Sequence, residues 1–517
     1  MDESAFAQNI AGALGWVDIC VLALAIVLLF CIAYFSGRRE ADTQDFFLGR
    51  RSVPAVVACL SFVATEVSAV TVIGVPAVGY GENWNYLQMF VGSAVARIVI
   101  AFLFIPVFYR HDCTTIYEFL KHRFGTATQY TGSAFFFITR LLASAVRLYA
   151  ACLGVSVIMG WTLAQTLLLF SLVSILFIAF GGIKAVVWTG AFEAIIFCIA
   201  GCAVGGYLLY EISGGLGEVW RVAGEAGRLS LFDFRLDLGE SGTFWAMALN
   251  GFFVGLCVFG TDQEMMQRLL TVKTRRSSQK ALISTIAAAL PVTCIYLAVG
   301  TLLFVFYQQR PELPLPENSD RILSHFVVHS LPVGLKGLIL AAVVLASVDS
   351  PLSSLSASFV TDIYRPLTGR GRSERHYMWV SRLGVVGFGL LLAVLAYACR
   401  HFEGVLWFAF KIFGVTGGSL LGVFLLGILT KGRGNRGNPP AMIFSALVMG
   451  TLLILSETDR LAIGWTWLIV MGTALTFILA WLLGPAWSKD RPHSVERHAR
   501  HAEHVAPDAE RALDRSS

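Results

Sequence analysis

The chain alternates long apolar runs with short polar stretches, and the runs have the length that crossing a bilayer by helix demands, about 20 residues each. Read this way, the pattern predicts thirteen helical spans: 15–36, 53–80, 85–108, 128–158, 162–181, 187–212, 243–266, 281–307, 335–361, 377–399, 404–429, 440–456 and 461–484. The polar stretches test that count. Basic residues crowd alternate loops, with Arg38, Arg39, Arg50 and Arg51, then Arg110, Lys121 and Arg123, then Lys184, then Arg268 to Lys280, then Arg365 to Arg375, then Lys431, Arg433 and Arg436. The loops between them carry only Arg221, Arg228, Arg235, Arg310, Arg321, Arg400 and Arg460. Basic loops favour the cytoplasm, so the pattern predicts an outside N-terminus and an inside C-terminus, which an odd number of spans requires.

Two spans break the pattern. The second holds SFVATEVSAVTVIGVP (Ser61–Pro76), an apolar run interrupted by Glu66, by hydroxyls at Ser61, Thr65, Ser68 and Thr71, and by Gly74 and Pro76. The seventh holds NGFFVGLCVFGTDQEMMQRLL (Asn250–Leu270), loosened by Gly251, Gly255 and Gly260 and followed by Thr261, Asp262, Gln263 and Glu264. Five spans separate them. A five-helix unit repeated once reverses its orientation, and transporters built so place their site where discontinuous helices of the two repeats meet. Unwound backbone there bares carbonyl oxygens that can replace a cation's hydration shell. The ninth span, VVLASVDSPLSSLSASFVTDIYRP (Val343–Pro366), adds Ser347, Ser350 and Ser354 on about one helical face. Such hydroxyls suit sodium, a hard cation, and equally suit bonding to their own backbone or to a neighbouring helix.

Composition agrees with the pattern. Of 517 residues 56% are hydrophobic and 14% charged, more apolar surface than a water-soluble chain can bury. The ten cysteines are scattered singly, against a disulfide framework or a metal centre, and the net charge of +5 acquires meaning only through its loops. No cofactor, transition metal or nucleic-acid signature is present. Residues 1–15 lack the basic start of a cleavable signal, and Ser488–Ser517 reads as a disordered tail with no signalling domain. A membrane enzyme would need a nucleophile–base or metal set. His111, His122, His325 and His329 lie in loops or at span ends, and no histidine accompanies Asp349 and the ninth-span serines.

Several motifs together resemble the sodium:solute symporter family, which includes sugar, proline, monocarboxylate, iodide and multivitamin cotransporters. They are the second-span stretch, IPVFYRHDCTTIYEFLKHRFG (105–125), GGIKAVVWTG (181–190), GTDQEMMQRLL (260–270), the serine-rich ninth span ending in TDIYRPL (361–367), and GGSLLGVFLLGIL (417–429). The resemblance covers about residues 15–484. It implies an all-α polytopic membrane protein of about thirteen helices with two inverted five-helix repeats. The organisation expected is 1–52 for an N-terminal helix and loop, 53–212 for the first repeat, 213–242 for an outer loop, 243–429 for the second repeat, 430–487 for two further helices and 488–517 for the tail. It further implies a sodium-coupled symporter of the plasma (inner) membrane importing a small solute by alternating access, with no enzymatic activity; the sequence carries no signal for an oligomeric state.

The family's sodium site maps onto the carbonyls of Ala64, Val67 and Val343 and onto positions 346 and 347. Ser347 matches; Ala346 stands where a hydroxyl is usual, with Ser350 one turn on. A second departure is Gly190, where the family commonly has Asp; Glu193 is the nearby carboxylate, and one coupled sodium is expected. Glu66 sits where the proline cotransporters have an acidic coupling residue, and Arg97, Arg140 and Arg147 are its possible salt-bridge partners. The substrate positions of the sugar branch correspond to Asn83, Gly255, Val258 and Phe410, which disfavours a hexose. The chain is more similar to the monocarboxylate, iodide and multivitamin branch, so a small organic anion is expected, bound among Thr71, Asn83, Tyr86, Gln88, Phe259, Phe410 and Lys411. Lys411 meets either that anion or an acidic neighbour such as Asp349 or Glu403. A fold-holding role is expected for Asp262 and Gln263. A sugar or amino-acid symporter, a sensor and a membrane enzyme are the alternatives.

Overall fold

The computed structural model describes residues 14–37, 43–348, 351–368, 372–402, 404–430 and 436–484. They form an all-helical bundle: α1 (Trp16–Gly37), α2 (Thr43–Leu48), α3 (Ala55–Glu66), α4 (Ala69–Gly81), α5 (Trp84–Arg110), α6 (Tyr117–Phe124), α7 (Thr126–Met159), α8 (Leu163–Glu211), α9 (Gly215–Glu225), α10 (Phe244–Gly260), α11 (Gln263–Leu270), α12 (Arg275–Gln308), α13 (Ile322–His329), α14 (Leu335–Val348), α15 (Leu352–Ser358), α16 (Glu374–Ala398), α17 (Val405–Leu429), α18 (Asn438–Glu457) and α19 (Leu468–Leu483). No strand occurs among the described residues beyond a single bridge between Val53 and Val272.

Nine of these helices are long and apolar enough to span a bilayer, and eleven spans result if each of two bent pairs counts as one. The thirteen expected spans include two that are shorter apolar helices here, Leu163–Leu176 and Leu335–Ala346. The fifth and sixth expected spans are joined as α8, which turns at Gly182, where φ is +48° and ψ is −169°. That conformation suits a residue without a Cβ.

The bent pairs are the two interrupted spans. α3 meets α4 at 54°, and α10 meets α11 at 59°. In the first break Val67 ends α3 and Ser68 starts α4 with extended ψ. In the second, Thr261 ends α10, and Asp262 caps α11 by accepting from the Glu264 amide at 2.9 Å.

Each broken helix closes against a helix of the other half through paired glycines. A Cβ on Gly79 of α4 would lie 2.3 Å from the Leu297 carbonyl oxygen, and one on Gly300 of α12 would lie 2.3 Å from that of Pro76. In α5 and α10 the same holds for Gly92, 1.8 Å from the Ala248 oxygen, and Gly251, 2.1 Å from the Met89 oxygen. Exchanging the second span with the seventh and the third with the eighth turns one seam into the other, as an inverted repeat requires. Small residues at such seams let backbones approach closely.

Candidate functional site

Beside the two breaks lies a cavity of about 160 Å³. Its wall includes Thr65, Glu66, Ser68 and Thr71 from the first broken helix, Tyr86 and Ser93 from α5, Arg140 and Arg147 from α7, Val254, Val258 and Phe259 from α10, and Phe410 and Phe413 from α17. Apolar groups dominate and few polar ones converge, the usual make-up of a small-molecule site. Towards the α17 end Tyr86, Trp407, Phe410 and Trp465 pack ring against ring with centroids 5.6–6.5 Å apart.

Charge in this wall is paired. Arg140, 2% exposed, donates to Asp262 and Glu264, and Arg147 donates through Nη1 to both oxygens of Glu264 at 3.1 Å. Two carboxylates of the second break therefore hold two guanidinium groups of α7. A buried charge is tolerable only when so paired. Arg147 borders both this cavity and a smaller one beside α7 and α14, with its side chain 14% exposed. Opposite, Glu66 accepts from Arg97 through Oε1, while Glu66 Oε2 and Arg97 Nε and Nη1 are buried with no hydrogen-bond partner. Arg97 is wholly buried and stacked against Phe259, 4.7 Å from its ring centre. Of the three arginines considered for Glu66, Arg97 is its partner, and the other two serve the second break.

The first break also presents the expected cation position. Among the described residues no backbone amide donates to the carbonyl oxygens of Ala64 or Val67, because α3 ends there and α4 restarts at Ser68. Ala64, Val67, Val343 and Ala346 are all buried, and α14, which carries the last two, packs on α4. The backbone of Ser347 continues α14; its side chain and all of Ser350 lie outside the described residues, as do Asp349 and Glu403. Gly190 has a steric reason: a Cβ there would lie 2.6 Å from Ser61 Oγ, so α8 and α3 meet where the family's usual aspartate would project. Glu193 is buried three residues further along α8.

Thr71, Tyr86, Phe259 and Phe410 line the cavity together. Asn83, Gln88 and Lys411 do not. Asn83 caps the turn before α5 by accepting from the Asn85 amide at 2.9 Å. Gln88, wholly buried, bonds the carbonyls of Asn85 and Gly242 and the amide of Asp233, tying the loop before α10 to α5. Lys411 reaches Glu457 of α18 at 2.8 Å, a partner far along the chain from the two considered. Gln263 accepts from the Ile116 amide and donates to the Thr114 carbonyl, and Asp262 holds Arg140, both fold-holding. Sequence reasoning left Arg147 and Ser93 out of the cavity wall. An intramembrane arginine in a helix rich in small residues was the available signal for the first; nothing marked the second.

Comparisons with known proteins agree. The model of the sodium:solute symporter family matches residues 46–444. The chain is 28% identical to the sodium/sialic acid symporter NanT of Aliivibrio fischeri, over 93% of this chain and 95% of that one. It is 31% identical to the sodium-dependent multivitamin transporter of Oryctolagus cuniculus, over 83% of this chain and 68% of that one. Its fold is like that of a Na+-coupled sialic acid symporter solved in a substrate-bound outward-open state, with a TM-score of 0.82 at 24% identity, covering 92% of this chain and 98% of the other.

Proposed function

This chain belongs to the sodium:solute symporter family, whose members are sodium-coupled membrane transporters and not enzymes, and from that premise we propose that it imports a small organic anion with one sodium ion per cycle. The observation that carries the anion is Arg147, a partly exposed guanidinium held by one acidic partner at the cavity wall. A carboxylate pairs with guanidinium in a geometry few other groups match.

Charge counting supports the same reading. Among the described groups around the cavity, Arg97, Arg140 and Arg147 balance Glu66, Asp262 and Glu264. A sodium ion at the first break adds one positive charge, and a monoanion beside it restores neutrality where charge is costly. Sodium would sit on the carbonyls of Ala64, Val67 and Val343 with the Ser347 hydroxyl, and Ala346 leaves that shell one ligand short. Glu66 lies next to that position, with one oxygen unpartnered to receive a cation. Thr71, Tyr86, Phe259 and Phe410 would shape the pocket around the anion's apolar body. The alternating basic loops support a plasma-membrane protein with its N-terminus outside and its C-terminus in the cytoplasm.

Uptake into proteoliposomes tests this. Sodium-driven accumulation of an organic acid, without current at a ratio of one, is the expected result. A ratio of two, or accumulation when choline replaces sodium, overturns it. Arg147→Gln is expected to weaken binding of the acid roughly 30-fold or more, about 2 kcal/mol for a truncated charge contact, while Arg140 still holds Glu264 and the fold. A panel of sugars, amino acids and organic acids screened by thermal shift, with and without sodium, identifies the ligand.

A further inference from the structure

A second cluster of oxygens lies away from the cavity, on the basic-loop side of α15. After Ser358 the helix widens into a π-turn, Phe359–Tyr364, before ending at Thr368, and that turn carries Asp362. Asp362 is fully buried. Its Oδ1 accepts from Thr115 Oγ1 at 2.6 Å and from Gln129 Nε2 at 3.1 Å. The Ser133 hydroxyl is a third neutral donor within reach of the carboxylate, and no described lysine, arginine or histidine forms an ion pair with it. The nearest other carboxylate, Glu118, accepts from the Thr114 and Thr115 amides, which adds negative charge close by.

Two more oxygens on α7 and α15, Gln129 Oε1 and Ser358 Oγ, are buried and unpartnered, and the Ser133 hydroxyl reaches Asp362 itself. Gln129 Oε1 belongs to the side chain whose amide nitrogen bonds Asp362. Ser133 follows Gln129 by one turn of α7, and Ser358 precedes Asp362 by one turn, so both hydroxyls fall on the facing sides of the same two helices. All four residues are at most 1% exposed. A buried carboxylate met only by neutral donors, with no cation paired to it and acceptor oxygens on the same two helices, has the make-up of a cation site. One negative charge among neutral oxygens matches a monovalent cation; divalent sites recruit more carboxylate. π-turns recur at functional sites because they turn a side chain off the helical register.

We propose that Asp362, Gln129, Ser133 and Ser358 form a sodium site distinct from the broken-helix position. It neutralises the buried carboxylate and binds whether or not substrate is present, so it adds nothing to the coupling ratio. It stands independently of the reading of the first break.

The test is equilibrium binding of radioactive sodium to the purified full-length protein at constant pH, with choline keeping ionic strength constant and no substrate added. Wild type is expected to hold two sodium ions per chain, Asp362→Asn one, and Ser133→Ala two with one of them bound about tenfold more weakly, or about 1.4 kcal/mol. Ser347→Ala, by contrast, weakens the other ion. Sodium binding unchanged in Asp362→Asn or in Ser133→Ala overturns the proposal and leaves Asp362 a protonated strut. Ser133→Ala decides alone where Asp362→Asn fails to fold. A single sodium lost in Ser347→Ala but kept in Ser133→Ala removes this site and keeps the first; the converse keeps this site and removes the first.

Discussion

The two broken helices bend by nearly the same angle, 54° and 59°, yet they are built from opposite chemistry. The break at Val67 is flanked by apolar residues and hydroxyls, and leaves backbone carbonyls open beside a single ion pair, Glu66–Arg97. The break at Thr261 is saturated: Tyr117 donates to the Thr261 carbonyl at 2.9 Å, Asp262 and Glu264 hold Arg140, and Gln263 ties down the loop before α6. Topological symmetry thus fixes where helices stop, and side chains decide what each stop does. One leaves carbonyls without backbone donors; the other is tied down by side chains.

The contrast can be broken from either side. Arg140→Leu strips Asp262 of its cation and leaves Glu264 with Arg147 alone, and is expected to cost about 3–5 kcal/mol, as loss of one partner of a buried pair does. The protein would then fail to accumulate, read as yield and melting temperature; a normally folded variant shows that the second break does not anchor. Glu66→Gln keeps an acceptor for Arg97, so its stability loss is smaller, about 1–3 kcal/mol for the weakened buried contact, and its signature is a changed sodium dependence of uptake. A change in yield alone makes the first break another anchor. Ala346→Ser sharpens the comparison by adding the hydroxyl missing beside Ser347; the sodium concentration for half-maximal uptake is expected to fall about 2- to 10-fold, the worth of one good ligand bond. Lys411→Ala bears on neither break. Its pair with Glu457 is partly exposed, so less than about 1 kcal/mol of stability and little uptake are expected to change.

The breaks, their five-span separation and the cavity-lining roles of Thr71, Tyr86, Phe259 and Phe410 were legible because glycines, hydroxyls and lone charges inside apolar runs have few structural uses. The partner of each charge was not. Glu66 had three candidate arginines, and only packing assigns Arg97 to it and Arg140 and Arg147 to the residues after Thr261. Asn83 and Gln88 are polar residues near a span start, which from sequence alone look the same whether they face a ligand or, as here, cap a turn and clasp the loop before α10. Lys411 pairs with a residue on a helix outside both repeats, a contact that no periodicity encodes. The cluster at Asp362 sat in plain view inside TDIYRPL, and only burial and unmet hydrogen bonds set it apart.

The paired glycines carry a mechanical consequence. Gly79 against Gly300 and Gly92 against Gly251 bring backbone to backbone with no side chain between, so neither broken rod can slide or roll on its companion without collision. Each interrupted helix is therefore locked to its companion as a stiff pair, and any change in which side the cavity faces is absorbed outside those two seams. A single methyl group at any of those four positions would pry its pair apart before it touched the cavity.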